Sequence, residues 1–151
     1  MENAQTSTQA VFVPARLNAH ADTTELEKIR TFIGDKARAC GFSEQGVMKI
    51  TLAVDEACSN LIRHSYHYDA SQQFFVDVDF DNNALVIDIL DSGAAFDPMN
   101  IPPPNLKEYA EQHRRGGFGV HIIRMTMDVV EYLPADDNHR LNRLRLIKKV
   151  I

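Results

Sequence analysis

An alternating pattern in the middle of the chain restricts its fold more than any other feature. Residues 74–80 and 85–90 alternate as strands do, and Asp81-Asn82-Asn83 between them has the residue types of a hairpin turn. The two segments are therefore expected to pair as antiparallel strands, and the fold is expected to be built around a sheet.

Helical patterns precede this hairpin. A first helix is predicted to begin at a capping box formed by Thr24 and Glu27 and to end at Gly41. Ser43 begins a second helix whose apolar residues recur every three or four positions, and this helix runs to about His67.

The rest of the chain adds one helix and three strands. The third helix starts with Val120 and ends near Asp128, and strands are predicted at residues 11–17, 129–133 and 141–150. The order βααββαββ predicts an α+β two-layer sandwich, with the helices on one face of a mixed, mainly antiparallel sheet. The length of 151 residues indicates a single domain spanning 1–151.

Composition excludes several classes of protein. The formal net charge of −5 argues against direct nucleic-acid binding, and the 44% hydrophobic content excludes a disordered chain. Cys40 and Cys58 are too few for a disulfide scaffold and lack the spacing of a zinc site. The sequence shows no signal peptide and no apolar stretch of membrane-spanning length, so we expect a cytoplasmic protein with no membrane association.

One face of the second helix carries three polar residues. Helical geometry places Glu56, Asn60 and His64 together, opposite the apolar stripe. The amide oxygen of Asn60 can bind Mg²⁺, and Glu56, one turn earlier, can accept a proton during phosphoryl transfer. The same pattern is also typical of a solvated helix face, and this alternative stays open.

Asp91 continues the apolar face of the strand that precedes it. A carboxylate facing inward needs a hydrogen-bond donor, such as the exocyclic amine of a nucleotide base. Gly93 would then permit close approach of that ligand. The alternative is an aspartate in an ordinary turn after a strand.

A glycine cluster lies directly before the third helix. Gly116, Gly117 and Gly119 leave room for phosphate next to unpaired N–H groups of the helix N-terminus. Arg114 and Arg115 can reach terminal phosphate oxygens. The glycines alone could equally form a hinge, and the arginines could be a solvated charge pair.

Three ordered motifs together resemble the bacterial anti-sigma-factor serine kinases of the GHKL, or Bergerat, ATP-binding superfamily. Residues 52–64 are similar to the N-box of that family, residues 91–98 to its first glycine box, and residues 116–124 to its second. The final strand, residues 142–146, is also similar. The resemblance covers nearly the whole chain.

The resemblance implies a role for each matched residue. Glu56 would be the general base, Asn60 the Mg²⁺ ligand, Asp91 the partner of the adenine amine, and residues 94–115 the ATP lid. The implied nucleotide-binding set is Asn60, His64, Asp91, Gly93, Phe96, Arg114, Arg115, Gly116, Gly117, Phe118, Gly119 and Val120.

The resemblance also implies cofactors and partners. These are ATP, Mg²⁺, a STAS-domain anti-anti-sigma protein that is phosphorylated on serine or threonine, a sigma factor or another regulatory protein that is sequestered, and a second copy of the chain in a homodimer. P-loop and protein-kinase signatures do not occur in the sequence. The alternative function is a regulator that binds nucleotide to shape a partner surface and has no kinase activity.

Overall fold

The computed structural model describes residues 12–100 and 118–151. Within them, five strands and three α-helices follow one another in the predicted order βααββαββ. The strands are β1 (Ala15–His20), β2 (Gln73–Asp81), β3 (Ala84–Asp91), β4 (Val129–Leu133) and β5 (Asn142–Lys149). The helices are α1 (Leu26–Ala39), α2 (Glu44–Asn60) and α3 (Phe118–Thr126).

The strands form one sheet in the order β1-β2-β3-β5-β4, and every described pairing is antiparallel. The predicted hairpin joins β2 to β3 through Asn82 and Asn83, whose φ angles are 51° and 58°. Both residues therefore occupy the left-handed region, as a two-residue type I′ turn requires, and asparagine tolerates that region better than most residues. The α+β fold with a mainly antiparallel sheet is confirmed.

The core lies between one face of the sheet and the helices. Strand β2 contributes Phe74 and Val76, β3 contributes Ile87, and both α1 and α2 contribute fully buried side chains such as Ile33 and Ile50. Alternate strand residues point to opposite faces, so the other face carries the charged residues of β2, β3 and β5. The predicted placement of the helices on one face is confirmed.

Several local boundaries differ from the sequence prediction, and the third helix, for example, spans Phe118–Thr126 rather than beginning at Val120 and ending near Asp128. Strand β1 begins at Ala15, one residue after Pro14, because proline has no amide hydrogen for the ladder. The capping box of Thr24 and Glu27 is wrong: Asp22 instead accepts a hydrogen bond from the Thr24 N–H (3.0 Å) and caps a short 3₁₀ turn that leads into α1.

The second helix changes its winding near its end. Ser43 caps α2 as predicted, through a hydrogen bond from the Gly46 N–H, and the chain continues as a π-helix over Leu61–Ser65. His67 and Tyr68 then adopt positive φ angles of 49° and 61° and end the helical segment. A π-helix is rare and is frequently found at functional sites.

None of the helices in the described ranges is long and apolar enough to cross a lipid bilayer.

Candidate functional site

The polar face predicted on α2 lies next to the first turn of α3. Glu56 is partly buried there, and a Cβ atom added at Gly119 would overlap its carboxylate. Only glycine lets the two helices approach this closely. The carboxylate of the proposed base and the start of the helix that follows the glycine cluster are therefore brought together.

Glu56 binds its proton more tightly than an exposed glutamate does. Burial raises the pKa of its carboxyl group most, repulsion from Asp55 raises it further, and Arg63 opposes both. A pKa nearer to neutrality makes a carboxylate a better general base. The environment of Glu56 therefore suits proton transfer.

A narrow cleft opens between α2, the end of β3 and β4. Most of its lining is apolar, with a few polar groups among the apolar ones, as is usual for small-molecule sites. The lining residues are Ala57, Asn60, Leu61, Ser65, Ile89, Asp91, Phe96, Pro98, Ile123, Tyr132 and Leu144.

Asp91 faces inward at the end of β3 and is only 6% exposed. Its Oδ1 atom accepts hydrogen bonds from the Gly93 N–H (2.9 Å) and from Asn142 Nδ2 (3.0 Å). Burial is the main effect on its pKa and raises it, while these two bonds lower it. No described residue hydrogen-bonds Oδ2, which leaves this atom as an acceptor for a donor in the cleft.

Gly93 is required by the packing of the protein itself. An added Cβ atom would lie 2.9 Å from the carbonyl oxygen of Ser65 and 3.1 Å from the Tyr66 ring. The Tyr66 hydroxyl in turn accepts a hydrogen bond from the Ser92 N–H (2.9 Å) and donates one to the carbonyl oxygen of Gln73 (3.0 Å). The end of the π-helix therefore fixes the backbone that follows Asp91.

Asn60 lies in the cleft with one end of its amide unsatisfied. Its Nδ2 atom is buried and has no hydrogen-bond partner among the described residues. A buried amide without a partner is unfavourable, and a bound ligand can supply that partner. The site fits a magnesium nucleotide: the amide oxygen of Asn60 is a hard ligand, and Mg²⁺ is usually bound by one or two protein groups together with phosphates.

His64 and Phe96 form a stacked pair at the start of the predicted lid. Their ring centroids are 4.9 Å apart and their planes differ by 16°. The Phe96 N–H donates to the Tyr132 hydroxyl (3.1 Å), so this residue is held from both β4 and the π-helix. Burial, more than the positive charge of Arg63, lowers the pKa of His64. The neutral ring is therefore favoured for the stack.

The other predicted nucleotide-binding residues are placed only in part. Val120 is 2% exposed, and its side chain does not line the cleft. Phe118 begins α3. Arg114, Arg115, Gly116 and Gly117, with most of the predicted lid, lie outside the described residues.

Sequence analysis missed three residues of the site. The hydroxyl groups of Tyr66 and Tyr132 contact backbone groups that are distant in the sequence, and no local sequence pattern indicates such contacts. Asn142 did carry a signal: it continues the apolar face of Leu144 and Leu146, just as Asp91 continues the face of its own strand. An inward polar residue at the end of each neighbouring strand indicates that the two interact.

The chain is similar to several known proteins. The profile of a family described as the histidine kinase-like ATPase domain matches residues 19–148. The serine-protein kinase RsbW of Oceanobacillus iheyensis is 30% identical over 106 residues, which are 68% of this chain and 67% of that protein. The RsbW of Listeria innocua is 29% identical over 99 residues, or 63% of each chain. The matched segment thus spans about two thirds of these relatives.

A solved structure has the same fold. The crystal structure of the RsbU and RsbW domains of a Mycobacterium tuberculosis protein matches with a TM-score of 0.62 and 12% sequence identity. The match covers 91% of this chain and 32% of that one.

Proposed function

Because the chain belongs to the histidine kinase-like ATPase domain family, we propose that it is an ATP-dependent anti-sigma factor and serine/threonine-protein kinase. Its substrate is a STAS-domain anti-anti-sigma protein, and it also sequesters a sigma factor or another regulatory protein. The curated relatives that are named serine-protein kinase support this assignment.

The contact of Glu56 with the first turn of α3 carries the proposal. It brings a carboxylate of raised pKa to the end of the glycine cluster, where phosphates are expected. The partner's hydroxyl oxygen forms a bond to the γ-phosphorus of ATP while the bond to the β–γ bridging oxygen breaks and ADP leaves. Glu56 accepts the hydroxyl proton, which makes that oxygen a better nucleophile.

The remaining residues bind and orient the nucleotide. Asp91 accepts a hydrogen bond from the adenine amine through Oδ2, and the backbone of Gly116, Gly117 and Gly119 holds the phosphates together with Arg114 and Arg115. Asn60 is the residue that would hold Mg²⁺, which neutralises phosphate charge when bound. The Phe96–His64 stack holds the base of the lid, residues 94–115, against the π-helix.

We expect a cytoplasmic homodimer that makes no direct contact with nucleic acid. Light scattering of the purified chain measures the dimer directly.

The test compares two Glu→Gln variants on the same helix. Wild type, Glu56→Gln and Glu44→Gln are incubated with labelled ATP, Mg²⁺ and a STAS-domain protein of the same organism. Glu44 lies at the first turn of α2, where it pairs with exposed Arg38. We expect Glu56→Gln to bind ATP but to lose transfer by about 10²- to 10⁴-fold, because an amide cannot accept the proton. Glu44→Gln should transfer as wild type does.

Two results would overturn the assignment. Equal transfer by Glu56→Gln and wild type would remove Glu56 as the base. Tight ATP binding with no label on any STAS-domain protein of that organism would favour the nucleotide-gated regulator without kinase activity.

A further inference from the structure

Asn142 has hydrogen-bond partners for both the nitrogen and the oxygen of its side-chain amide, although the proposed chemistry assigns it no role. It is 3% exposed at the start of β5, opposite Asp91 in the β3–β5 register. Its Nδ2 atom donates to Asp91 Oδ1 and to the carbonyl oxygen of Gly93, both at 3.0 Å. Its Oδ1 atom accepts from the Ala135 N–H at 2.8 Å.

These three bonds allow only one orientation of the amide. The Ala135 N–H can only donate, so it requires the amide oxygen on its side. The carbonyl oxygen of Gly93 can only accept, so it requires the amine on the other side. Asn142 therefore donates one N–H to Asp91 and the other to Gly93, and it cannot present its amide oxygen to Asp91 without losing the bond from Ala135.

We propose that Asn142 is a positioning residue that makes this cleft select purine nucleotides with an amine at the 6-position over those with a carbonyl there. This inference rests on the proposed function in that the ligand is a purine nucleotide. It adds the residue that sets the choice of base.

The selectivity follows from what Asp91 can offer. The hydrogen bonds from Asn142 and from the Gly93 N–H to Oδ1 lower the pKa of this buried carboxyl group and so favour its ionised form, in which Oδ2 is a pure acceptor. An amine can donate to that atom, whereas a carbonyl oxygen would be repelled by it. Without Asn142, burial favours the protonated carboxyl group, which can donate a hydrogen bond to a carbonyl.

The experiment measures ATP and ITP affinity by calorimetry, because ITP carries a carbonyl where ATP carries the amine. The proteins are the full chain as wild type, Asn142→Leu, Asp91→Asn and the double variant. We expect wild type to prefer ATP by roughly 10- to 100-fold, the range for a hydrogen bond to a charged group. Asn142→Leu should reduce this preference to within about threefold.

The double variant distinguishes a positioning role of Asn142 from a general disruption of the cleft. If Asn142 acts through Asp91, then Asn142→Leu should not change the ATP-to-ITP ratio further once Asp91 is already Asn. Asp88→Asn is the matched control, since it makes the same exchange on the same strand but at a residue that pairs with Arg145 on the opposite face of the sheet. It should leave the ratio unchanged.

Each failure has a distinct meaning. Wild-type preference for ATP that persists unchanged in Asn142→Leu would overturn the role of Asn142 and leave the proposed function intact. Wild type that binds neither nucleotide would contradict the proposed function itself. If thermal melting shows that Asn142→Leu does not fold, then Asn142→Ala, which is smaller and also removes the amide, is measured instead. An ATP-to-ITP ratio equal to that of wild type would then overturn the role, and a lower ratio would support it.

Discussion

Asp88 and Asp91 lie on the same strand, β3, but face opposite sides of the sheet. On the open side, Asp88 binds Arg145 through both carboxylate oxygens, with distances of 2.8 Å to Nε and to Nη2. On the helix-covered side, Asp91 uses only Oδ1, and its donors are uncharged amides. Asp88 therefore has its full set of partners within the fold, whereas Asp91 has an oxygen left for a ligand.

This difference separates a carboxylate that stabilises the fold from one that is held ready for binding. A bidentate pair with arginine satisfies the charge of Asp88 locally. Asp91 lacks such a counter-ion, and burial raises its pKa. Glu56 resembles Asp91 in this respect, because it makes no hydrogen bond to a described residue and its pKa is also raised by burial. Carboxylates that are at least partly buried and have few hydrogen-bond partners therefore indicate the site.

The largest effect should come from displacing Glu56 without changing it. In Gly119→Ala the new methyl group overlaps the Glu56 carboxylate, so we expect phosphoryl transfer to fall by about 100-fold or more. Gly34→Ala is the control: its Cβ would lie 3.3 Å from the end of the flexible Arg38 side chain, within α1. It should keep full transfer and gain about 0.4–1 kcal/mol of stability. Normal transfer by Gly119→Ala would show that Glu56 needs no defined position.

Exchanging each aspartate for asparagine tests the comparison directly. We expect Asp91→Asn to weaken ATP binding by about 1.5–3 kcal/mol, the value of a hydrogen bond to a charged group. Asp88→Asn should leave ATP affinity unchanged and lower the free energy of unfolding by about 0.5–1.5 kcal/mol. Calorimetry and denaturant unfolding measure the two quantities. A comparable loss of ATP affinity in both variants would contradict the assignment of Asp91 to ligand binding and of Asp88 to stability.

The smallest effect is a pH dependence of stability. Below the ordinary aspartate pKa of 3.8, Asp91 is protonated in both the folded and the unfolded chain and contributes no difference. As the pH rises from 3.8 through the raised pKa of the folded state, ionisation favours the unfolded chain, so wild type loses stability relative to Asp91→Asn. Unfolding free energies of the two proteins should therefore diverge over this interval and run parallel above it. If the unfolding free energies of the two proteins differed by the same amount at every pH, the raised pKa of Asp91 would be contradicted.

Local chemistry explains why much of the fold could be predicted from the sequence. The Asn82-Asn83 turn and the Ser43 cap depend on neighbouring residues, so the sequence pattern indicated them correctly. The Thr24–Glu27 capping box was wrong because Asp22 competes for the same Thr24 N–H. The π-helix at Leu61–Ser65 was not predicted, because the second helix keeps its apolar spacing up to that point.

The site could be predicted where a single residue departed from the apolar pattern of its own segment. Asp91 stood out as a carboxylate on an apolar strand face, and its burial confirms that placement. Its contact with Asn142 joins residues 51 positions apart, and the hold of Tyr132 on Phe96 spans 36. Such contacts depend on strand register, which no single segment encodes.

The pairing of β3 with β5 also determines when the cleft can form during synthesis. The β2–β3 hairpin is local and can form within microseconds of leaving the ribosome, whereas residues emerge at only about 5–20 per second. Asn142 is therefore synthesised several seconds after Asp91. A nascent chain that ends before β5 has the helices and the hairpin, but not the amide that orients Asp91. The cleft is thus completed only after β5 has been made, and a bound nucleotide would stabilise only a chain that includes β5.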